Sequence, residues 1–172
     1  MSPARRLPSR TVAVLGVALA LAAAAPSPLS AQGQALPITW SAPAAAVVAV
    51  AGGTASVEVS ARIEEGWHLY SLTQPTPPEP TVISVPAGQI FALSGPVEAP
   101  LPEKGFDEAQ GAETEYYKES AAFRLPLTVA KTAKPGVHKL TVTAKWQACN
   151  GSLCLRPQTS TIEVQVRIDA PK

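Results

Sequence analysis

A chain of 172 residues with a formal net charge of +1 predicts a single domain and excludes some classes of partner. Its 14 basic and 13 acidic residues nearly balance. This argues against a nucleic-acid partner, because such a partner calls for a basic stripe on the surface. Aromatic residues are few and prolines number 18, so we expect a modest core of aliphatic side chains from β-strands.

The first segment, residues 1–31, is predicted to be a cleaved secretory signal peptide. Three arginines among the first ten residues precede an apolar run over residues 12–25, and small residues end the segment at Ala31. The run is shorter than the ~18 to 20 apolar residues of a membrane-spanning helix. An uncleaved N-terminal anchor is the alternative. We expect a periplasmic or otherwise exported mature chain, without a membrane span.

After a linker or edge strand at residues 32–45, residues 46–172 are predicted to form one all-β domain. Apolar and polar residues alternate with a period of two, as in half-buried strands, and no long stretch has a 3.6-residue period. Proline and glycine turns separate the runs. This pattern is typical of an immunoglobulin-like antiparallel β-sandwich. The predicted strands are residues 56–63, 67–70, 81–85, 90–93, 121–129, 139–146 and 161–168.

Residues 98–120 break this alternation, because they are acidic and carry Phe106, Tyr116 and Tyr117. The stretch is predicted to be a long loop. Long loops with a composition of their own are often functional. A solvated excursion without a function is the alternative.

The two cysteines, Cys149 and Cys154, are predicted to form a disulfide, because an even count in an exported chain favours one. Asn150-Gly151 between them is a strong turn signal. Closing a ring of about six residues stabilises a fold by only ~2 kcal/mol, against ~4.7 kcal/mol for about 100 residues. A disulfide between these two residues would therefore contribute little to the stability of the fold. At this point both a structural and a redox-active disulfide remain open.

No metal site and no cofactor are expected. A four-ligand zinc site would need both cysteines with His68 and His138, and neither histidine shows ligand spacing. The sequence has no glycine-rich phosphate loop and no Ser-His-Asp set. The main alternative to redox chemistry is an exported adhesion or scaffold module with an inert disulfide. A copper or zinc chaperone is disfavoured by the scarcity of ligands.

The run from Leu140 to Cys149, followed by the run from Cys154 to Ile162, resembles a known family. It is similar to the N-terminal periplasmic domain of the thiol-disulfide interchange protein DsbD, in which a strand ends in an aromatic-Gln-small-Cys run. Gly66–Ser71 is similar to that family's Gly-aromatic-aromatic-Leu-Tyr strand. The resemblance covers roughly residues 45–168.

The resemblance implies a sandwich with an inserted cap region and a redox pair at Cys149 and Cys154. By position, Cys149 would bridge to the partner in a mixed disulfide. The activity implied is that of a thiol-disulfide oxidoreductase, one component of a protein-disulfide reductase. A thioredoxin-like donor, fed through a membrane protein, would supply the electrons. The acceptors would be envelope disulfide proteins, such as the isomerase and cytochrome c maturation thioredoxins.

The cap and its surroundings follow the family in part. Asp107 and Glu108 match the family's cap run, but Ala109 stands where the family has an aromatic residue, for which Phe106 or Tyr116 would have to substitute.

His68 and Tyr70 share one face of a strand by period two and match two family aromatics near the cysteines, with histidine replacing one. Ordinary packing is the alternative for both. Four residues separate the cysteines, where the best-known family member has five. Because the sequence ends at Lys172, we expect the electron donor to be a separate protein.

Overall fold

Residues 36–170, described in a computed structural model, form an all-β fold of twelve strands without a helix. Nothing helical in this range has the length and apolarity that a bilayer crossing requires. The predicted signal peptide and its cleavage site lie outside the described residues. The all-β sandwich prediction is confirmed. The strands are β1 (Ile38–Ser41), β2 (Val47–Val50), β3 (Thr54–Ile63), β4 (Trp67–Tyr70), β5 (Val82–Ser84), β6 (Phe91–Leu93), β7 (Glu103–Asp107), β8 (Ala112–Tyr117), β9 (Ser120–Val129), β10 (Gly136–Trp146), β11 (Ala148–Asn150) and β12 (Gln158–Asp169).

Two four-stranded sheets build the sandwich, in the orders β1-β3-β9-β6 and β2-β12-β10-β5. Their long strands pair antiparallel, β3 with β9 and β10 with β12, whereas β2 runs parallel to β12. Burial alternates along the long strands, so one face of each is apolar and the other meets solvent. The inner faces of both sheets share one core, which includes Val57, Val59, Ala61, Ile63, Phe123, Leu125, Leu127, Leu140, Val142, Ala144, Trp146, Val164, Val166 and Ile168.

Two segments that the sequence left uncertain are ordered into sheets. Ile38–Ser41, within the range predicted to be a linker or edge strand, pairs with β3 and forms the edge of the first sheet. Residues 98–120 are not one long loop. Most of this stretch forms a hairpin of β7 and β8, joined by a short turn. Its Glu103, Glu108 and Glu113 side chains are exposed whereas Asp107 is buried, and the two strands are exposed along much of their length, which hid the period-two signal.

A third sheet, in the order β11-β4-β8-β7, lies at the ends of strands from both larger sheets. After β3, the chain turns at Gly66, whose φ of 80° is readily adopted only by glycine, and continues as β4. After β10, the chain passes Gln147 and continues as β11. A strand from each sheet of the sandwich is thus carried directly into the third sheet, where β4 and β11 pair.

Candidate redox site

The disulfide between Cys149 and Cys154 closes a tight turn at the end of β11. The two residues face each other in an antiparallel bridge, with 4.1 Å between their Cα atoms. The Asn150 N–H donates to the carbonyl oxygen of Leu153 at 2.9 Å. The Asn150 Oδ1 accepts from the N–H groups of Ser152 and Leu153 at 3.0 and 2.8 Å. The turn predicted from Asn150-Gly151 therefore holds the cysteines together.

Strand β4 places two of the predicted site residues beside this bond. His68 lies directly opposite Cys149 in the β4–β11 register, so the two side chains share a face of the sheet. Tyr70, two residues further along β4, lies on the same face. The intervening Leu69 points the other way and is buried in the sandwich core. The strand thus separates a packing face from a polar face.

Asp107, the last residue of β7, contacts the side chains of both His68 and Tyr70. Its Oδ2 accepts a hydrogen bond from the Tyr70 hydroxyl at 2.6 Å and lies 2.8 Å from the Nε2 of His68. Because an ionised carboxylate only accepts, the Nε2 atom carries the hydrogen in this arrangement. The other carboxylate oxygen accepts from the N–H groups of Ala109 and Gln110 in the hairpin turn. One buried carboxylate thus holds both the turn and the two rings of β4.

Tyr70 contacts both this carboxylate and the disulfide. Its hydroxyl lies 2.8 Å from the Sγ of Cys149, and the side chain is fully buried. Burial, followed by the hydrogen bond and the negative charge of Asp107, raises the pKa of Tyr70 well above its usual range. The phenol therefore remains protonated at physiological pH and acts as a hydrogen-bond donor.

The pKa of Asp107 reflects two opposed influences. Burial alone raises it, but the hydrogen bonds from Tyr70 and His68 and the proximity of the imidazole lower it. The net pKa lies below the ordinary value of an aspartate. The carboxylate is therefore ionised over the physiological range, although its side chain is only 1% exposed.

Gln110, which is not among the predicted site residues, covers the disulfide. Its Nε2 lies 3.0 Å from the Sγ of Cys154 and 3.7 Å from that of Cys149. The aromatic residues expected to cover the cysteines lie elsewhere. Phe106 is 62% exposed, and Tyr116 packs against the His68 ring with 4.9 Å between ring centroids. The cap over the sulfurs is therefore an amide from the turn that follows Asp107, next to the predicted cap residues.

Of the predicted surrounding residues, the structure brings Asp107, His68 and Tyr70 to the cysteines but not Glu108. Glu108 is exposed in the hairpin turn and lines a surface cavity beside the site, whose other lining residues include His68, Asp107 and Gly151. No hydrogen bond joins it to either cysteine among the contacts of residues 36–170. Its neighbour Asp107 is the acidic residue that enters the site.

The two sulfurs differ in accessibility. Cys149 is fully buried under Tyr70 and the hairpin, whereas Cys154 is half-buried on the returning chain. A reagent in solvent therefore reaches the bond from the Cys154 side, next to Gln110.

A family model described as the N-terminal part of thiol:disulfide interchange protein DsbD matches residues 38–166. The chain belongs to this family. The resemblance inferred from the cysteine run is thereby confirmed, and the matched range contains every site residue described above. Membership of the DsbD N-terminal family and the Cys149–Cys154 bond both support a role in thiol-disulfide exchange.

Individual relatives are distant. The thiol:disulfide interchange protein DsbD of Klebsiella pneumoniae is 29% identical over 107 residues, which are 62% of this chain and 15% of that protein. The chain thus spans a small part of this relative. Among solved structures, the reduced Neisseria meningitidis DsbD N-terminal domain is 20% identical, with 70% of this chain and 82% of that chain covered and a TM-score of 0.45. The N-terminal periplasmic domain of ScsB from Proteus mirabilis is 12% identical, with coverages of 73% and 45% and a TM-score of 0.46.

Proposed function

We propose that this chain is a periplasmic thiol-disulfide oxidoreductase module. It passes reducing equivalents from a membrane-linked, thioredoxin-like donor to envelope disulfide proteins, with cytochrome c maturation thioredoxins among the acceptors. The observation that carries the proposal is the disulfide itself. Cys149–Cys154 closes a short turn and contacts hydrogen-bonding side chains from β4 and from the β7–β8 turn, outside the aliphatic core. The signal-peptide pattern of residues 1–31 supports export.

We further propose that Cys154, rather than Cys149, forms the mixed disulfide with a partner. The family resemblance gave this role to Cys149 by position, but the burial of the two sulfurs favours the opposite assignment. Thiol-disulfide exchange requires a thiolate to reach one sulfur and displace the other. Cys149 is fully buried, whereas Cys154 is half-buried at the rim of the site.

Attack at Cys154 makes Cys149 the leaving group, next to the Tyr70 hydroxyl. That hydroxyl carries one hydrogen, which Asp107 accepts at 2.6 Å while the disulfide is intact. A Cys149 thiolate would compete for the same hydrogen across the 2.8 Å between Oη and Sγ. A hydrogen bond from the Tyr70 hydroxyl to the developing Cys149 thiolate lowers the barrier to exchange, because the donor is already in place where the negative charge forms. Tyr70 is therefore proposed as a donor to the leaving sulfur.

The electrons balance in two half-reactions. In the first, a donor thiolate bonds to Cys154, the Cys149–Cys154 bond breaks, and Cys149 leaves as a thiolate that takes up a proton. The donor's second thiolate then attacks the donor sulfur, so the donor becomes a disulfide and Cys154 becomes a thiol. In the second, Cys154 attacks an acceptor disulfide and Cys149 resolves the mixed disulfide. The Cys149–Cys154 bond re-forms, and two electrons and two protons pass to the acceptor, which becomes a dithiol.

Single-cysteine variants test the assignment. Cys149→Ala keeps Cys154, which should attack a thioredoxin that lacks its resolving cysteine and whose remaining cysteine is bonded to thionitrobenzoate, so that a stable mixed disulfide forms and the thionitrobenzoate thiolate leaves. Cys154→Ala keeps only the buried sulfur and should react at least about 10-fold more slowly, because access controls exchange. Non-reducing gel electrophoresis over time measures both rates. Equal trapping by the two variants, or faster trapping by Cys154→Ala, would contradict the assignment.

The reduction potential separates exchange from an inert disulfide. Structural disulfides typically have potentials below about −300 mV. We expect the Cys149–Cys154 pair to equilibrate with thiol buffers at a potential above that value. Thiol trapping across a series of dithiol buffers measures it. A pair that stays oxidised throughout the series would favour the adhesion or scaffold alternative.

A further inference from the structure

Three metal-ligating side chains stand in a row on one face of the third sheet. The β4–β11 register sets His68 beside Cys149, and the antiparallel bridge sets Cys149 beside Cys154. Asp107 reaches the same face from the β7–β8 hairpin. The ligand atoms of His68, Asp107 and Cys149 all lie within 4.8 Å of one another, and the Sγ of Cys154 is bonded to that of Cys149.

This donor set matches a specific class of ion. One imidazole nitrogen, two sulfurs and one carboxylate oxygen are ligands of tetrahedral zinc sites. With metal–ligand bonds of about 2.0 to 2.3 Å, the ligand atoms of such a site lie about 3.3 to 3.8 Å apart. The separations among His68, Asp107 and Cys149, from 2.8 Å between His68 and Asp107 to the 4.8 Å limit, fall on both sides of that range. The two sulfurs are bonded to each other here, so reduction must let them separate to about 3.8 Å before both can coordinate one ion.

We propose that the dithiol form of this protein binds one zinc-class divalent cation through Cys149, Cys154, His68 and Asp107. The disulfide form does not bind it, because the metal ligand is the thiolate and the two sulfurs are then bonded to each other. Reduction needs an external dithiol, which becomes a disulfide as Cys149 and Cys154 become thiols. Metal binding then releases two protons, since both thiols deprotonate. Reoxidation of the two sulfurs by an acceptor disulfide, which becomes a dithiol, releases the ion.

The site differs from the four-ligand set considered from the sequence. His138 lies on β10, where its Nε2 contacts the carbonyl oxygen of Lys134 at 2.7 Å. Asp107 takes the fourth place instead, and no spacing rule could have suggested it because it is 42 residues before Cys149. Tyr70, which donates to the Asp107 carboxylate, would remain beside the ion as an outer hydrogen-bond donor that orients this ligand.

Occupancy would oppose thiol exchange, because both sulfurs would be engaged by the cation. Entry of the ion requires the Gln110 amide to leave the Sγ of Cys154. Gln110 lies in the solvent-facing hairpin turn, so this movement does not disturb the sandwich core. The reduced protein would thus be held by the metal until a competing partner or an oxidant takes the sulfurs.

Cobalt(II) is the probe for the experiment, because thiolate coordination gives it a charge-transfer absorption in the near ultraviolet. Purified protein is reduced, the reductant is removed under anaerobic conditions, and the reduced protein is titrated with Co²⁺. The disulfide form is titrated in parallel. We expect one Co²⁺ per reduced chain with this absorption, and none for the disulfide form. His68→Ala should weaken Co²⁺ binding at least about 10-fold. Substitutions of residues that only orient the metal ligands already reduce metal affinity by about that much. His138→Ala, the matched control, should leave affinity within about twofold.

Two results would overturn the proposal. One is Co²⁺ binding to reduced protein that is no tighter than binding to the disulfide form. The other is equal weakening by His68→Ala and His138→Ala. Asp107→Asn, which keeps the size of the side chain, gives a second test should His68→Ala fold poorly. Thiol exchange measured without metal is independent, so a protein that exchanges thiols but binds no Co²⁺ would refute only the metal site.

Discussion

The sandwich and the third sheet bury different kinds of side chain. The long strands β3, β9, β10 and β12 fill their inner faces with aliphatic and aromatic residues. The buried polar or charged side chains of residues 36–170 instead lie in the third sheet or in segments hydrogen-bonded to it: Ser71, Gln74, Thr81, Asp107 and Thr114. Apolar burial stabilises a fold without directing chemistry, whereas a polar network places hydrogen-bond donors and charge at chosen atoms. Stability and reactivity are therefore separable here.

The largest effect is expected from a truncation in the sandwich. Leu140 on β10 is fully buried, so Leu140→Ala should lower the free energy of unfolding by about 2 to 5 kcal/mol. Leu101→Ala is the matched control, because Leu101 is 96% exposed and its loss should change stability by less than about 0.5 kcal/mol. Urea unfolding followed by tryptophan fluorescence measures both.

The comparison between regions adds a second readout to this pair. Folded Leu140→Ala should keep the wild-type reduction potential at Cys149–Cys154, because the cavity lies in the sandwich and not beside the sulfurs. A shift of the potential that scales with the loss of stability would show that the two regions are coupled, and the separation argued above would then be wrong.

The same contrast explains what the sequence could predict. The long strands follow from period two, because each needs only its own alternation to bury one face. Cys149 and Cys154 could be paired because Asn150-Gly151 makes a turn between them. The β7–β8 hairpin was missed as strands because its exposed, acidic side chains carry little alternation. Gln110 was missed because its role depends on a contact across 44 residues, which no local pattern encodes.

An intermediate effect is expected from the buried carboxylate of the third sheet. Asp107→Asn keeps the shape but removes the charge that accepts from Tyr70, His68 and two backbone N–H groups. This substitution should lower the free energy of unfolding by about 1 to 3 kcal/mol at neutral pH. Because folding lowers the pKa of Asp107, the unfolded state binds more protons in the acid range. The contribution of the carboxylate is thus complete above the unfolded pKa of about 3.9 and is lost as the pH falls through the lower, folded pKa.

Unfolding of wild type and Asp107→Asn from pH 8 to pH 3 tests this sign. The difference in stability should be constant from pH 8 to about pH 5 and shrink below about pH 4. Asp169→Asn on the sandwich surface is the matched control, because its carboxylate is about half exposed and pairs with the half-exposed Arg167. It should change stability little at any pH. A gap between wild type and Asp107→Asn that widens on acidification would mean that folding raises the pKa of this carboxyl.

The smallest effect on stability, and the most specific effect on reactivity, should come from the amide over the disulfide. Gln110→Ala removes the Nε2 that lies 3.0 Å from the Sγ of Cys154. Loss of one hydrogen bond of about 1 kcal/mol should raise the rate of reduction by a small dithiol roughly fivefold, because the half-buried sulfur becomes easier to reach. Stopped-flow kinetics of reduction measure this rate.

Gln89 offers the same side chain in the other region. Its amide donates to the carbonyl of Thr141 at 2.9 Å and accepts from the Thr141 N–H at 2.8 Å, so it ties a loop to β10 away from the cysteines. Gln89→Ala should therefore lower stability by about 1 to 2 kcal/mol and leave the reduction rate unchanged. If Gln110→Ala accelerates reduction and Gln89→Ala does not, the rate at which the disulfide is reduced is controlled by the hairpin turn. Equal acceleration by both substitutions would instead mean that reduction proceeds through a general loosening of the fold.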